Sequence, residues 1–321
     1  MHPSTASRSL AEQPVRISAA TVARVREAAR TLGYRRDASA AALRTGSSRL
    51  VGVLVHRLTD LALATMYAGA DAAAAEAGYN TVVANGLDDP QVRRDRLEAL
   101  LARRIDGVIL ADARSDDTLA DHLAALGVPY VLAMRTLPGH LSVGTDDVEG
   151  GRLAAEHLLE LGHRRVAVAA GDPLASTGHD RTAGFRQAFA EAGHPVPDDA
   201  VAATGFGVAA GHAAGNRLAA LDPAPSAVFA VDDLTAVGVI GALRDAGRTV
   251  GSDVALVGYN DVELAADLPV GLTSVRSDRD RMGRLAFGLL LERIAGRDVA
   301  SARLPPVLVP RASTLGAVPP G

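Results

Sequence analysis

From residue 50 onward, short apolar runs alternate with amphipathic, alanine-rich stretches. The runs at 50–55, 81–84, 107–110, 130–133, 166–170, 227–231 and 254–258 read as strands. The stretches at 68–77, 93–103, 150–161, 181–192, 210–221 and 234–246 read as helices. Several close on glycine (Gly78, Gly162, Gly193, Gly247), the left-handed stop that glycine adopts without steric cost. Strand followed by helix at this spacing predicts parallel sheets covered on both faces, an α/β fold. About 270 residues of the pattern predict two such lobes and not one sheet.

Ligands of open parallel sheets bind just beyond the carboxyl ends of the strands. The residues that follow the apolar runs form a polar set: His56, Arg57, Asn85, Asp112, Arg135, Asp172, Asp232, Asp233, Asn260 and Asp261. Some of these are helix caps and polar loop residues, and several are expected to line one cleft.

The first 46 residues read differently. Residues 3–10 form a short helical pattern with Pro3 in its first turn. Ser18 is placed as the N-cap of a second helix, with Val22, Val25, Ala29 and Leu32 at helical spacing before Gly33. A third stretch, 37–43, is alanine-rich, and 45–48 reads as a linker.

Charge sharpens this division. The chain of 321 residues carries a net charge of -4, but residues 1–49 hold nine arginines against Glu12, Glu27 and Asp37, a local +6, which leaves -10 for the rest. A basic arm on an acidic body predicts that this end meets a polyanion. All basic residues are arginine. There is no cysteine, which excludes disulfides, thiolate metal sites and a cysteine nucleophile. Apolar runs are far shorter than the ~20 residues of a membrane span, and the polar, basic start is no secretory signal, so a cytoplasmic protein is expected.

Several motifs together resemble the lactose-repressor (LacI/GalR) family of bacterial transcription regulators. They are Ser4-Thr5-Ala6-Ser7-Arg8-Ser9-Leu10, Ile17-Ser18-Ala19-Ala20-Thr21, Leu32-Gly33-Tyr34, Leu43-Arg44-Thr45-Gly46 and Val51-Gly52-Val53. The order continues with Gly144-Thr145-Asp146-Asp147, Leu161-Gly162-His163, Arg181 with Gly184-Phe185, Asp232-Asp233, Gly258-Tyr259-Asn260-Asp261, Leu272-Thr273-Ser274-Val275 and Met282-Gly283. The resemblance implies an all-α helix-turn-helix headpiece and hinge helix over 1–46. It also implies an effector-sensing, dimerising core over 47–321, shaped like a periplasmic binding protein with two lobes and crossovers near 147, 276 and 305.

By the same resemblance, Pro3, Ser4 and Arg8 fall on base-reading positions, where arginine's fork suits guanine in the major groove. Thr5, Ser7, Ser18, Thr21 and Tyr34 match phosphate contacts, and Leu43 with Ala40 matches the minor-groove wedge of the hinge helix. Leu61, Asn85, Arg135, Arg181, Asp232 and Asn260 fall on effector positions. Their chemistry suits a small polyhydroxylated or anionic ligand, a sugar or derivative foremost. The expected partners are palindromic double-stranded operator DNA, the effector and a second copy of the chain. With no leucine heptads, a homodimer is expected.

There are departures from the family pattern. The helix that usually precedes the recognition helix is not found before residue 3, which predicts a natural start upstream of Met1. Arg36 and Asp37 replace the usual proline and asparagine, and Ala11 stands where asparagine is common. Asp60-Leu61-Ala62-Leu63 replaces an aromatic motif after the first strand, so ring stacking on a sugar is poorly supplied.

Other chemistries fit less well. Gly205-Phe206-Gly207-Val208-Ala209-Ala210 has the outline of a dinucleotide fingerprint but stands several units too late in its domain. His157 and His163 have the wrong spacing for one helical face and read as structural, with no metal expected. Ser176, His179 and Asp180 are neighbours in sequence only, and no hydrolase elbow is present, so no cofactor and no catalysis are expected. The alternative function is a small-molecule sensor whose headpiece no longer binds DNA.

Overall fold

The computed structural model describes residues 5–6, 9–10, 17–33, 46–116 and 118–316. The chain divides into two compact units at Arg49 and Leu50. In the first, Ser18 caps helix α1 (Ala19–Thr31), its hydroxyl oxygen accepting from the Thr21 amide at 3.4 Å. Thr5, Ala6 and Ser9 are helical, with the Leu10 amide bonded to the Ala6 carbonyl.

The second unit consists of two lobes, each built on a six-stranded sheet. In chain order its elements are β1 (Leu50–Val55), α2 (Leu61–Glu76), β2 (Asn80–Asn85), α3 (Pro90–Leu101), β3 (Gly107–Leu110), α4 (Leu119–Ala125), β4 (Tyr130–Ala133) and β5 (Ser142–Thr145). Then come α5 (Asp147–Glu160), β6 (Val166–Ala169), α6 (Ser176–Glu191), β7 (Val201–Ala202), α7 (Val208–Ala219), β8 (Ala227–Ala230), α8 (Asp233–Asp245), β9 (Ala255–Asn260), α9 (Leu264–Asp267) and β10 (Thr273–Arg276). The chain closes with α10 (Arg279–Ile294), β11 (Ala302–Leu304), β12 (Val307–Val309) and α11 (Ala312–Leu315).

The N-terminal lobe orders its strands β11-β5-β4-β3-β1-β2, and the C-terminal lobe β12-β10-β9-β8-β6-β7. The pairings are parallel except β10 with β12. The chain therefore passes between lobes after β5, between β10 and α10, and between β11 and β12. Alternation along β1 divides the N-terminal core between two faces. Val51, Val53 and Val55 pack with Met66, Met282 and Phe287 under α2 and α10, while Leu54 packs with Leu97, Leu110 and Leu123 under α3 and α4. Burying each such side chain contributes about 1.5–3 kcal/mol.

Four helices begin earlier than the alanine pattern predicts, because aspartates cap them. Asp60 accepts from the Ala62 amide at 2.9 Å and starts α2 at Leu61. Asp89 accepts from Gln91 and Val92 at 2.8 and 2.9 Å and starts α3 at Pro90. Asp146 and Asp232 do the same for α5 and α8. Each capping oxygen satisfies amides that the first turn leaves without partners.

Three helix pairs pack through reciprocal glycines: Gly69 with Gly283 (α2 and α10), Gly151 with Gly184 (α5 and α6) and Gly211 with Gly238 (α7 and α8). At each, a Cβ would overlap the facing helix's backbone. Glycine here permits close backbone approach, and that approach holds α5 against α6 next to the site.

Candidate functional site

A cavity between the lobes is lined by His56, Asp60, Leu63, Ala111, Met134 and Arg135 from the N-terminal lobe. Thr177, Arg181, Phe206, Asp232 and Asn260 line it from the other. Its free volume is about 30 Å³, room for a water or two and not for a sugar ring. Four of the six residues matched to effector positions meet here: Arg135, Arg181, Asp232 and Asn260. Leu61 and Asn85 are not among the lining residues. Leu61 is the exposed first residue of α2, and the Asn85 side-chain oxygen accepts from the Leu58 amide at 2.9 Å, bracing a loop of its own lobe.

Arg181 is brought in from the first half of α6. Its Nε donates to Asp147 at 2.8 Å and its Nη1 to the Val231 carbonyl at 2.6 Å, while the guanidinium carbon lies 3.7 Å from the centre of the Tyr259 ring. Burial opposes the charge, but Asp147, Tyr259 and Asp232 outweigh it and raise the pKa. The ion pair lies within one lobe and does not bridge the two. Nη2 has no partner.

Asp232 serves twice. Both oxygens are engaged by Thr235 as the α8 cap, and the side chain also lines the cavity. Burial raises its pKa. Asn260 ends β9 at φ 103°, and Met134, before Arg135, has φ 66°. Both lie in a region that side chains other than glycine rarely adopt, and such strain concentrates at binding sites. Arg135 donates from Nη1 to the Asp112 and Ala113 carbonyls at 3.2 and 3.4 Å, and lies 3.6 Å from Asp88. Burial lowers its pKa, and burial followed by the Arg135 charge lowers that of His56, which is neutral at pH 7.

Phe206 corrects the expectation of a site poor in aromatic surface. Its flanking glycines, Gly205 at φ 96° and Gly207 at φ 91°, turn the ring into the cavity, where it lies 5.6 Å from the Arg135 guanidinium. The glycines of the apparent dinucleotide fingerprint thus set an aromatic side chain. Asp60, Thr177 and Phe206 are lining residues that the strand-end reading missed. Asp60 and Thr177 stand at the starts of helices, and the period of the apolar runs carries no signal for them.

Other polar residues of the strand-end set serve the fold. Asp112 forms a bidentate pair with Arg93, at 2.8 and 3.1 Å, with both side chains buried. Asp172 pairs with Arg114 at 2.9 Å across the lobes. Asp233 accepts from Ser274 Oγ at 2.6 Å and the Val262 amide at 2.8 Å. His157 and His163 are buried against Thr314 and Ser226 hydroxyls. Ser176 Oγ accepts from the Thr136 amide, whereas His179 bonds Asp180, so the three do not form a relay. No group of acidic and histidine side chains suited to a metal occurs among the described residues, and none of their helices is long and apolar enough to cross a membrane.

Asp233 supports a pH prediction. Burial raises its pKa from 3.8 to about 7, so the folded state holds a proton that the unfolded chain releases. Its contribution to stability is full below about pH 4 and is lost as pH rises through 7. Urea unfolding midpoints at pH 5 and pH 8 should therefore differ less in Asp233→Asn than in the parent chain. An unchanged difference would assign the pH dependence elsewhere.

In the first unit, Thr5, Ser18 and Thr21 are described; Pro3, Ser4, Ser7, Arg8, Tyr34, Ala40 and Leu43 lie outside the described residues, as does the stretch expected to form the hinge helix.

A family model described as a periplasmic binding protein-like domain matches residues 155–314. The HTH-type transcriptional regulator CelR of Thermobifida fusca is 35% identical over 90% of this chain and 87% of its own length. The solved CelR–cellobiose complex is similar at a TM-score of 0.77, with 32% identity over 97% of this chain and 94% of that one. The lac repressor dimer bound to operator and the anti-inducer ONPF superposes at a TM-score of 0.87, with 26% identity over 97% and 95% of the two chains. With this likeness across nearly its whole length, and with its cavity drawn from both lobes, the chain belongs to the LacI/GalR family of transcriptional regulators.

Proposed function

We propose that the chain is a cytoplasmic repressor, without catalytic activity, that binds palindromic operator DNA as a homodimer. A sugar or related polyhydroxylated metabolite in the inter-lobe cavity controls it. The observation that carries this reading is that the cavity takes side chains from both lobes, so a ligand touching Arg135 and Arg181 together reports and alters the lobe arrangement. A ligand shifts such an equilibrium only by its difference in affinity for the two arrangements.

Contacts at the cleft rim hold the lobes together around the small cavity. The Ser115 amide donates to the Leu174 carbonyl at 3.0 Å, the Thr136 amide to Ser176 Oγ at 2.8 Å, and Arg114 pairs with Asp172. A sugar needs more room than the cavity now offers, so its entry separates the lobes and breaks rim contacts. In the headpiece, Pro3, Ser4 and Arg8 read bases, Thr5, Ser7, Ser18, Thr21 and Tyr34 hold phosphates, and Leu43 with Ala40 enters the minor groove. Arg135, Arg181, Asp232 and Asn260 contact the effector.

Selection of duplexes from a random library by the full chain tests the reading. The expected result is a palindromic site whose binding constant falls steeply with salt, by about 0.9 logarithmic units per decade for each phosphate neutralised. Asp232→Ala should leave ligand-free operator affinity within about twofold and weaken the ligand response roughly 10- to 100-fold, the worth of a charged hydrogen bond. Absence of salt-dependent enrichment, with ligand binding intact, would favour the sensor without DNA function.

A further inference from the structure

Four arginines are buried among the described residues: Arg93, Arg135, Arg181 and Arg279. Three of them face a carboxylate, Asp112 at 2.8 Å, Asp88 at 3.6 Å and Asp147 at 2.8 Å. Arg279, the first residue of α10, has no carboxylate at ion-pair distance; Asp147 and Asp60 attract it only from farther away. Its Nη2 donates to the Asn260 side-chain oxygen, its Nη1 approaches the Met282 sulfur at 3.6 Å, and its Nε has no partner. Desolvating a guanidinium costs several kcal/mol, and an amide oxygen with a thioether returns little of it.

Burial lowers the Arg279 pKa to about 10, Arg181 adds to the effect, and Asp147, Tyr259 and Asp60 only partly oppose it, so the charge persists at neutral pH. A second donor points the same way, because Arg181 also keeps one nitrogen without a partner, at Nη2. Asn260 stands at the boundary: it lines the effector cavity and also an adjoining hollow of about 560 Å³, where Arg276, Arg279 and Arg281 face Asp261, Glu263, Asp278 and Asp280 along the wall. That hollow is within the range of small-molecule sites.

On the reading that this cleft holds the effector, we propose that the effector is acidic, a sugar carrying a carboxylate or phosphate whose oxyanion takes the place of the Asn260 amide on Arg279 and reaches Nη2 of Arg181. A neutral sugar offers hydroxyl oxygens but no countercharge, and it leaves Arg181 to its pair with Asp147 and Arg279 without an ion pair of its own. An oxyanion satisfies free N–H groups of both at once. Arg279 belongs to a helix of the N-terminal lobe and Arg181 to one of the C-terminal lobe, so the same anion draws on both lobes.

Calorimetric titration of the full-length protein tests this with matched ligands: glucose, glucuronate and glucose 6-phosphate; galactose and galacturonate; ribose and ribose 5-phosphate; and cellobiose. At least one acid should bind about tenfold or more tightly than its neutral counterpart. The better of carboxylate and phosphate identifies the anion. Arg279→Gln should bring that ratio to within about twofold, with Arg279→Lys retaining part of it. The glutamine variant should melt no lower than the parent, since it removes a buried charge that has no ion pair. Neutral sugars binding as well as acids would overturn the inference and leave the sugar-effector reading standing. So would a preference that survives Arg279→Gln. If nothing in the panel binds, both fall.

Discussion

Arg93→Ala should lower the unfolding free energy by about 3–5 kcal/mol, because it strands a buried carboxylate. Arg93 is 1% exposed and Asp112 is fully buried, and the two are joined by a bidentate pair between α3 and the loop after β3. Removing the arginine leaves Asp112 charged in the core or forces it to take up a proton. The Asp112 carbonyl also accepts from Arg135, so the damage reaches the cavity wall. Replacing both partners, as Arg93→Met with Asp112→Leu, should cost less than Arg93→Ala alone, since no charge is then left stranded. Urea unfolding of the three proteins measures this. A single variant as stable as the parent would mean that the pair contributes nothing.

Gly184→Ala is expected to cost about 2–3 kcal/mol and to weaken effector binding as well. A Cβ at Gly184 would overlap the Val148 carbonyl of α5, and one at Gly151 would overlap the Arg181 carbonyl of α6. The contact is backbone against backbone, so no side chain can turn away and the helices must part. Alanine gains about 1 kcal/mol over glycine in helix propensity, which offsets only part of the cost. Separating α5 from α6 moves Asp147 from Arg181, whose pair spans those helices at 2.8 Å. Gly193→Ala provides the contrast: a Cβ there would meet no atom within 4 Å, and its penalty comes only from φ 80°. Thermal melts of both variants, with ligand titration of Gly184→Ala, separate packing from backbone strain. Gly184→Ala melting with the parent and binding with parental affinity would show that the helices tolerate separation.

Much of this architecture is legible in the chain itself. The seven apolar runs correspond to strands, because a strand buried on both faces needs a continuous apolar run that the residue order displays; the edge strand β2, only half-buried, carries such a run as well. Strands β5, β10 and β11 escape such a reading because Ser142, Thr273 and Arg303 interrupt any apolar run, and β12, apolar throughout, is only three residues long. Ser18 is readable as a cap because a hydroxyl before a helical pattern has a local function. Asp60 and Asp89 obey the same rule, but the amphipathic pattern of their helices becomes distinct only in later turns.

The cavity shows the same division. The family resemblance singles out Arg181, Asp232 and Asn260, since those residues occur within its recognisable strings. The strand-end pattern by itself does not separate Asp112, consumed by Arg93, from Arg135, which faces the cavity, because both are polar residues at strand ends. Tertiary structure decides that Asn85 braces its own lobe, that Phe206 supplies the missing ring, and that Arg279 is buried without an ion pair. Partnership between side chains distant in sequence depends on how helices and crossovers pack in three dimensions. Local pattern therefore determines which groups are available, and only packing determines which of them are neutralised and which are left for a ligand.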